Sequence, residues 1–258
     1  DDILVHGARP LFFLDYIGTS KLELDVLEAL GRGMAEACRE AGCALLGGET
    51  AEMPGVYVPG EVDLVGCIVG AVERSRILPG ERVREGDELI GLASWGLHTN
   101  GYSLARKVLL EEGPGADGVL PGSDETIGEA LSARHRLYWP GVSGRLDRPE
   151  LHAMAHVTGG GIPGNLRRVL PDGMVAEVDA SSWSVPPVFR AIGEWGRVAE
   201  EEMYHVFNMG IGWILVVDPS VADAWQQDLT EDGWGAVRLG RVVAGEAGPK
   251  APASVRMR

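Results

Sequence analysis

The sequence predicts a soluble, loop-rich α/β protein of two domains, and three observations predict it. Apolar residues make up 45% of 258 positions and 37 are glycine, enough for two modest cores joined by many tight turns. Segments of helical spacing alternate with short apolar runs, none long enough to cross a bilayer. Between Glu73 and Asp87 the composition turns charged and carries Pro79, Gly80 and Gly86, so the domains are expected at 1–75 and 76–258.

In the first domain, Leu27, Leu30, Met34, Ala37 and Ala41 recur at helical spacing, which predicts an amphipathic helix over 24–41 with Asp25 and Glu28 near its start and Gly42 as its stop. Cys43 to Leu46 reads as a short strand that delivers a GGET loop. Val62 to Val72 reads as a second, glycine-punctuated strand, apolar enough to be buried. In the second domain, strands are expected at 88–93, 154–157, 174–178, 213–217 and 236–243. Helices are expected at 102–112, from Gly161 through Leu170, and at 187–195, 200–206 and 221–229, with 113–124 as Gly- and Pro-rich surface. Interleaved helices and strands point to a layered, mixed sheet, α/β in the broad sense that includes α+β.

Charge and cysteines exclude whole classes of function. A formal charge of -15 cannot supply the positive footprint a nucleic acid needs, although a small phosphate remains compatible with local N–H groups and magnesium. Cys38, Cys43 and Cys67 are odd in number and lack CxxC spacing, so they read as reduced core thiols of a cytoplasmic protein. Asp1 and Asp2 run straight into Ile3, Leu4 and Val5 with no basic flank, so no signal peptide and no membrane partner are expected.

Four loops carry the candidate chemistry. GGETAEMPG (47–55) offers Glu49 as a hard oxygen ligand for magnesium and Thr50 as a hydroxyl donor, against the alternative of a strand-to-loop turn with a solvated glutamate. GLHTNGYS (96–103) offers His98, Thr99, Asn100 and Ser103 beside a helix start, where Asn100 could equally be only the N-cap. HVTGGGIPGN (156–165) joins a strand end, three glycines and a helix start, the construction of a backbone phosphate cradle. FNMGIGW (207–213) has glycines that let a loop pass close to something, or serve only as a cap and a tight turn.

Together with DILVHGARPLFFLDY, these strings in this order closely resemble the phosphoribosylformylglycinamidine cyclo-ligase family, also called aminoimidazole ribonucleotide synthetases, from the first residue to about the strand at 236–243. The resemblance implies a two-domain synthetase-like fold, a homodimer, and two substrates, ATP and formylglycinamidine ribonucleotide. In that family ATP activates the formyl amide oxygen, the amidine nitrogen attacks the activated carbon, and the ring closes as phosphate leaves, giving ADP and aminoimidazole ribonucleotide for purine biosynthesis. It also implies Asp2 and Glu49 as magnesium ligands. His98, Glu49 and Asn100 are then the catalytic candidates, and Thr50, Ser103, His156, Thr158, Gly159, Gly160 and Gly161 hold substrate or phosphate. His6, His135, His152 and His205 read as structural or surface residues.

The chain departs from the family pattern at its start. It opens inside a motif usually written Asn-Asp-Ile, so the glycine-rich arm and TDGVGTK-like loop of the family are absent from it, by truncation, by cleavage or because the chain belongs to a longer gene. Two readings follow: a cyclo-ligase complete in its native gene, or a shortened homologue that binds a phosphorylated metabolite or a partner subunit without catalysis.

Overall fold

A computed structural model describes residues 1–245, 248 and 251–258. The first sheet is built from β1 (Arg9–Thr19), β2 (Ala44–Glu52) and β3 (Val62–Ala71) in the order β2-β1-β3, parallel between β1 and β2 and antiparallel between β1 and β3. Between the first two strands runs α1 (Leu24–Ala41), bounded as its periodicity requires. Its stop is Gly42 at φ +69, a left-handed position that glycine takes without a Cβ penalty, and its N–H caps Arg39 and Cys38.

The GGET segment is not a loop. Glu49 and Thr50 pair with Tyr16 and Ile17, so β2 continues through them to Glu52. The register slips beside Gly47, and a Cβ on Gly48 would stand 2.0 Å from the Asp15 carbonyl oxygen. Gly48 is therefore required by the approach of a neighbouring strand rather than by a ligand. The strand β3, expected to be buried, is largely exposed, with Leu64 at 45% and Val65 at 50%. Neither edge strand of this small sheet has a further partner among the described residues. Of the three thiols only Cys38 is buried, Cys43 is half-buried and Cys67 is exposed; all three are free, but the expectation of core thiols holds for one.

The second sheet has six strands in the order β5-β7-β4-β8-β6-β9, namely β4 (Glu88–Ala93), β5 (Leu151–His156), β6 (Met174–Val178), β7 (Ile211–Val217), β8 (Val237–Ala244) and β9 (Ser254–Met257). All neighbours are antiparallel except β6 and β9, so the sheet is mixed. Side chains of β7 alternate between two cores. Ile214 and Val216 face α5 (Gly161–Leu166), while Trp213, Leu215 and Val217 face α4 (Trp139–Val142) and α8 (Pro219–Glu231). A third cluster joins α2 (Tyr102–Arg106) and the π-helical turn that continues it to Glu111 with α3 (Ile127–Ser132), α6 (Pro187–Gly196) and α7 (Glu200–Val206).

Two pieces of this layer lie outside the expected elements. The helix α3 opens with a reciprocal capping box between Thr126 and Glu129, a T-x-x-E signal present in the sequence. The preceding segment, expected to be surface, buries Leu120 to 1% exposure under α3. The opening residues also leave the first sheet: the 3-10 turn Leu4–His6 packs on β5, with Leu4 buried against Leu78, Ile90 and Met154.

Candidate functional site

Antiparallel pairing decides which loops meet. Both β4 and β5 run antiparallel to the central β7, so the C-terminal ends of β4 and β5 and the N-terminal end of β7 lie at one edge of the sheet. The loops 94–101, 157–161 and 207–210 therefore converge, and hydrogen bonds lock them. Asn208 Oδ1 accepts from the Ser94 hydroxyl (3.0 Å) and the Gly210 N–H (2.8 Å), and its side-chain amide donates to the Gly96 carbonyl (2.8 Å). Glycines provide the room. A Cβ on Gly212 would lie 2.4 Å from His98 Cε1, and one on Gly101 would lie 2.2 Å from Phe207. His98 (φ +61) and Met209 (φ +52) hold left-handed backbone that such side chains rarely adopt, and both belong to these loops.

At this edge three imidazoles touch. His98 is 4% exposed and stacks on His135 with ring centroids 4.1 Å apart, and His135 Nε2 lies 3.3 Å from His156 Nε2. His156 Nδ1 donates to Asp2 Oδ1 at 3.1 Å, which leaves its Nε2 lone pair facing His135. Burial, with His135 and His156 nearby, pushes His98 down to about 3, and burial pushes His135 down to about 4. Burial also lowers His156 although Asp2 opposes it, while the hydrogen bond from His156 holds the Asp2 carboxyl below its usual range. The set is thus neutral imidazoles beside an ionised carboxylate at pH 7.

This has a consequence for stability. The unfolded chain protonates His98 and His135 near pH 6.5, whereas the folded chain resists until about pH 4 or below, so the unfolded state binds more protons in that window. Stability is therefore full above about pH 6.5 and falls as the pH drops toward 4, with the lowered Asp2 acting in the same direction further down. Thermal midpoints measured from about pH 7 to about pH 5 are expected to fall, and the decline is expected to be shallower in His98→Gln/His135→Gln. Equal slopes for the two proteins would contradict this account.

The glycine triplet divides into three roles. Gly160, at φ +97, is the N-cap of α5 with no close neighbour around a built Cβ, and Gly159 is exposed beside Asn100, whose Oδ1 is 3.3 Å from the Gly159 Cβ position. Gly161 is buried, its N–H donates to the Thr158 carbonyl (3.0 Å), and a Cβ on it would lie 1.8 Å from the Tyr204 carbonyl oxygen. It is framework, not cradle. Asn165 holds the turn from inside: its amide donates to the Thr158, Gly159 and Gly161 carbonyls, and its Oδ1 accepts from the Thr158 hydroxyl and from Arg168 Nη1, each of the last two at 3.1 Å.

Beside this turn opens a cleft of about 280 Å³, lined by Asp2, His156, Thr158, Asn165 and Arg168 among others. Its scale and its exposed guanidinium suit a phosphate group. A larger cavity of about 770 Å³ is lined by Glu200, Glu201 and Glu202, whose carboxylates repel phosphate, and it is not the candidate.

The structure brings together Asp2, His98, Asn100, His156, Thr158, Gly159 and Gly160. Asn100 is not the helix cap, since Gly101 takes that position without a side-chain bond, and Ser103 lies exposed in the first turn of α2. Glu49 and Thr50 stay apart. Cys43, just before β2, lines a cavity with Asp1 and Asp2, and Glu49 lies six residues further on, about 20 Å along the strand. Asp2 and Glu49 therefore do not form one magnesium site within a single chain; each can supply one carboxylate oxygen, as magnesium on a nucleotide accepts. His135, expected to be structural or surface, is in the imidazole cluster. Asn165 and Arg168 were missed as well, although Asn165 ends the HVTGGGIPGN string.

Comparison with known proteins bears on the family and the fold. The family described as AIR synthase related protein, N-terminal domain, matches residues 1–72, and its C-terminal counterpart matches 84–248. A phosphoribosylformylglycinamidine cyclo-ligase of Nitratidesulfovibrio vulgaris is 52% identical over 223 residues, 86% of this chain and 64% of that protein. One from Sorangium cellulosum is 49% identical over 247 residues, 95% of this chain and 71% of that protein. Among solved structures, hydrogenase maturation protein HypE in complex with ATP covers 99% of this chain and 72% of its own, with TM-score 0.70 and 22% identity. Thiamine-monophosphate kinase from Stenotrophomonas maltophilia gives TM-score 0.68 at 19% identity, covering 99% of this chain and 74% of its own. The two structural likenesses establish the fold.

Proposed function

The chain belongs to the AIR synthase related family, among the phosphoribosylformylglycinamidine cyclo-ligases, and from that premise we propose that it carries the ATP-dependent closure of formylglycinamidine ribonucleotide to aminoimidazole ribonucleotide in purine biosynthesis. The observation that carries the reading to this chain's residues is the convergence of three motif loops beside a cleft lined by Arg168, Thr158 and His156. Phosphoryl transfer needs positioned donors and charge more than a nucleophilic side chain, and that is the chemistry of this edge.

In this reading the γ-phosphoryl of ATP passes to the formyl amide oxygen, the amidine nitrogen attacks the carbon so activated, and phosphate departs as the ring closes. Arg168 and the backbone of Gly159 and Gly160 hold the transferring group, with Thr158 and Asn165 fixing that backbone. His98 and Asn100 stand on the reacting side, Ser103 at the rim, and His156, held by Asp2, lines the cleft beside the transferring group. Asp2 and Glu49 are the magnesium contacts in this reading, the ion supplying charge neutralisation on the nucleotide phosphates. Thr50 adds a hydroxyl beside Glu49.

The 1–75 unit supplies the dimer surface in the same reading. Leu11, Leu46, Val62, Leu64 and Val65 are exposed on a sheet with two open edges, which suits a second copy of the chain. No helix among the described residues is long and apolar enough to cross a membrane, and the cytoplasm is the compartment proposed.

A cyclisation assay with formylglycinamidine ribonucleotide, ATP and magnesium tests the function through release of ADP and phosphate. Absence of turnover with full nucleotide binding would favour the non-catalytic homologue. Glu49→Gln is expected to abolish turnover with little change in thermal midpoint, because Glu49 is exposed and its bond is local, from the Thr50 N–H at 2.9 Å. Near wild-type rates at saturating magnesium would remove Glu49 from the metal.

A further inference from the structure

We propose that His98, His135 and His156 form a binding site for one divalent transition metal ion of the zinc class, distinct from any magnesium on the nucleotide. One ring nitrogen from each residue lies within 4.8 Å of the other two, and these three are the only such cluster of histidine, cysteine or acidic side chains among the described residues. The His135–His156 spacing is that of a coordination sphere, and the His98 ring, stacked on His135 at 4.1 Å, turns to bring its nitrogen to the ion. Zinc holds imidazole nitrogen at about 2.0–2.1 Å, so two nitrogens on a tetrahedron stand about 3.3 Å apart, and His135 Nε2 and His156 Nε2 are 3.3 Å apart.

Three further features fit an ion there. Asp2 takes the Nδ1–H of His156, which fixes the tautomer and turns Nε2 inward, the carboxylate–histidine–metal arrangement that orients ligands in known sites. His98 is 4% exposed, yet its Nδ1 has no hydrogen-bond partner, an unpaired buried polar atom that ligand rearrangement around an ion would relieve. Asp1 Oδ2 stands 3.3 Å from His135 Nε2, so two carboxylates flank the cluster and offset the added charge. Opposing them, Arg136 lies near His98 but is stacked between Trp95 and Trp234 and donates to the carbonyls of Ala93, Gly233 and Trp234.

Nitrogen donors discriminate between metals. Magnesium demands oxygen ligands and octahedral geometry, whereas imidazole suits zinc, copper and nickel. His135 is half-buried and comes from the segment between α3 and α4, so it can close onto His98 and His156, which are held by the loop after β4 and the end of β5. An ion there ties three chain segments together at the mouth of the proposed site and occupies His156 Nε2.

The chelator-treated 258-residue chain, titrated with zinc chloride by calorimetry, is expected to bind one equivalent. Cobalt(II) in its place is expected to give the absorption bands of a tetrahedral site. His135→Ala is expected to weaken zinc binding by more than about 100-fold, and His98→Gln, checked for folding by its thermal midpoint, to do the same. The Cys38→Ser/Cys43→Ser double variant is expected to bind as wild type, and excess magnesium not to compete. No zinc uptake, undiminished uptake in His135→Ala, loss in the cysteine variant, or displacement by magnesium would each overturn the site. None of these readouts requires cyclisation activity, so failure of the site and failure of the proposed function are separable.

Discussion

Asn165→Ala is expected to cost about 2–4 kcal/mol of stability and to lower cyclisation about 100-fold. The side chain is 4% exposed, its amide serves three carbonyls, and its oxygen serves the Thr158 hydroxyl and Arg168. Alanine removes all of these bonds at once. The carbonyl oxygen of Gly161 loses its 2.8 Å donor, Arg168 loses its anchor, and the turn that carries Gly159 and Gly160 is free to open. A fall in thermal midpoint of about 5–15 °C should accompany the loss. Asn165→Asp separates the two effects. It keeps the shape but replaces the donor with a charge beside Arg168, so phosphate affinity is expected to fall more than the midpoint does. An Asn165→Ala protein with unchanged midpoint and rate would show that the turn holds itself.

Gly161→Ala is expected to be the most damaging single-methyl change at this edge. The residue sits at φ +60 and its Cβ would meet the Tyr204 carbonyl at 1.8 Å, so either α5 or α7 must move. A loss of more than about 3 kcal/mol, read as a collapse of soluble yield or of the denaturant midpoint, follows from overpacking added to left-handed strain. Gly160→Ala has only strain to bear, since the nearest atom to its Cβ, Gly164 Cα, is 3.6 Å away, and about 1–2 kcal/mol is expected. Because Gly160 sits in the turn between Thr158 and Asn165, which line the cleft, its variant is also expected to raise KM for ATP. Equal stability losses for the two variants would refute this division of the triplet, and an unchanged KM in Gly160→Ala would withdraw Gly160 from the phosphate.

The elements that followed from sequence were those whose signals are local. Helix α1 is bounded by its apolar spacing and by Gly42, and strand β4 by its apolar run. The extent of β2 was not readable that way. Two glycines and a glutamate look like a loop until β1 lies alongside, and only then does Gly48 become a contact between strands. Exposure of β3 is likewise a property of the sheet around it, because the same apolar residues would be buried if another layer covered them.

By itself the sequence determined the succession of helices and strands, the acidic balance of the chain, and the motif strings that place it in its family. Each of these depends on residues close together in the chain. Only the tertiary structure decided which of those residues meet. Antiparallel pairing of β4 and β5 with β7 sets the strand ends that carry His98 and His156 side by side, and the segment after α3 adds His135, which no motif marks. The same pairing leaves Glu49 on a different sheet and assigns Gly159, Gly160 and Gly161 to separate tasks although they are adjacent in sequence. The physical reason is range: propensity and periodicity act over a few residues, whereas the position of a side chain at a site depends on strand pairing and packing between segments far apart in the chain.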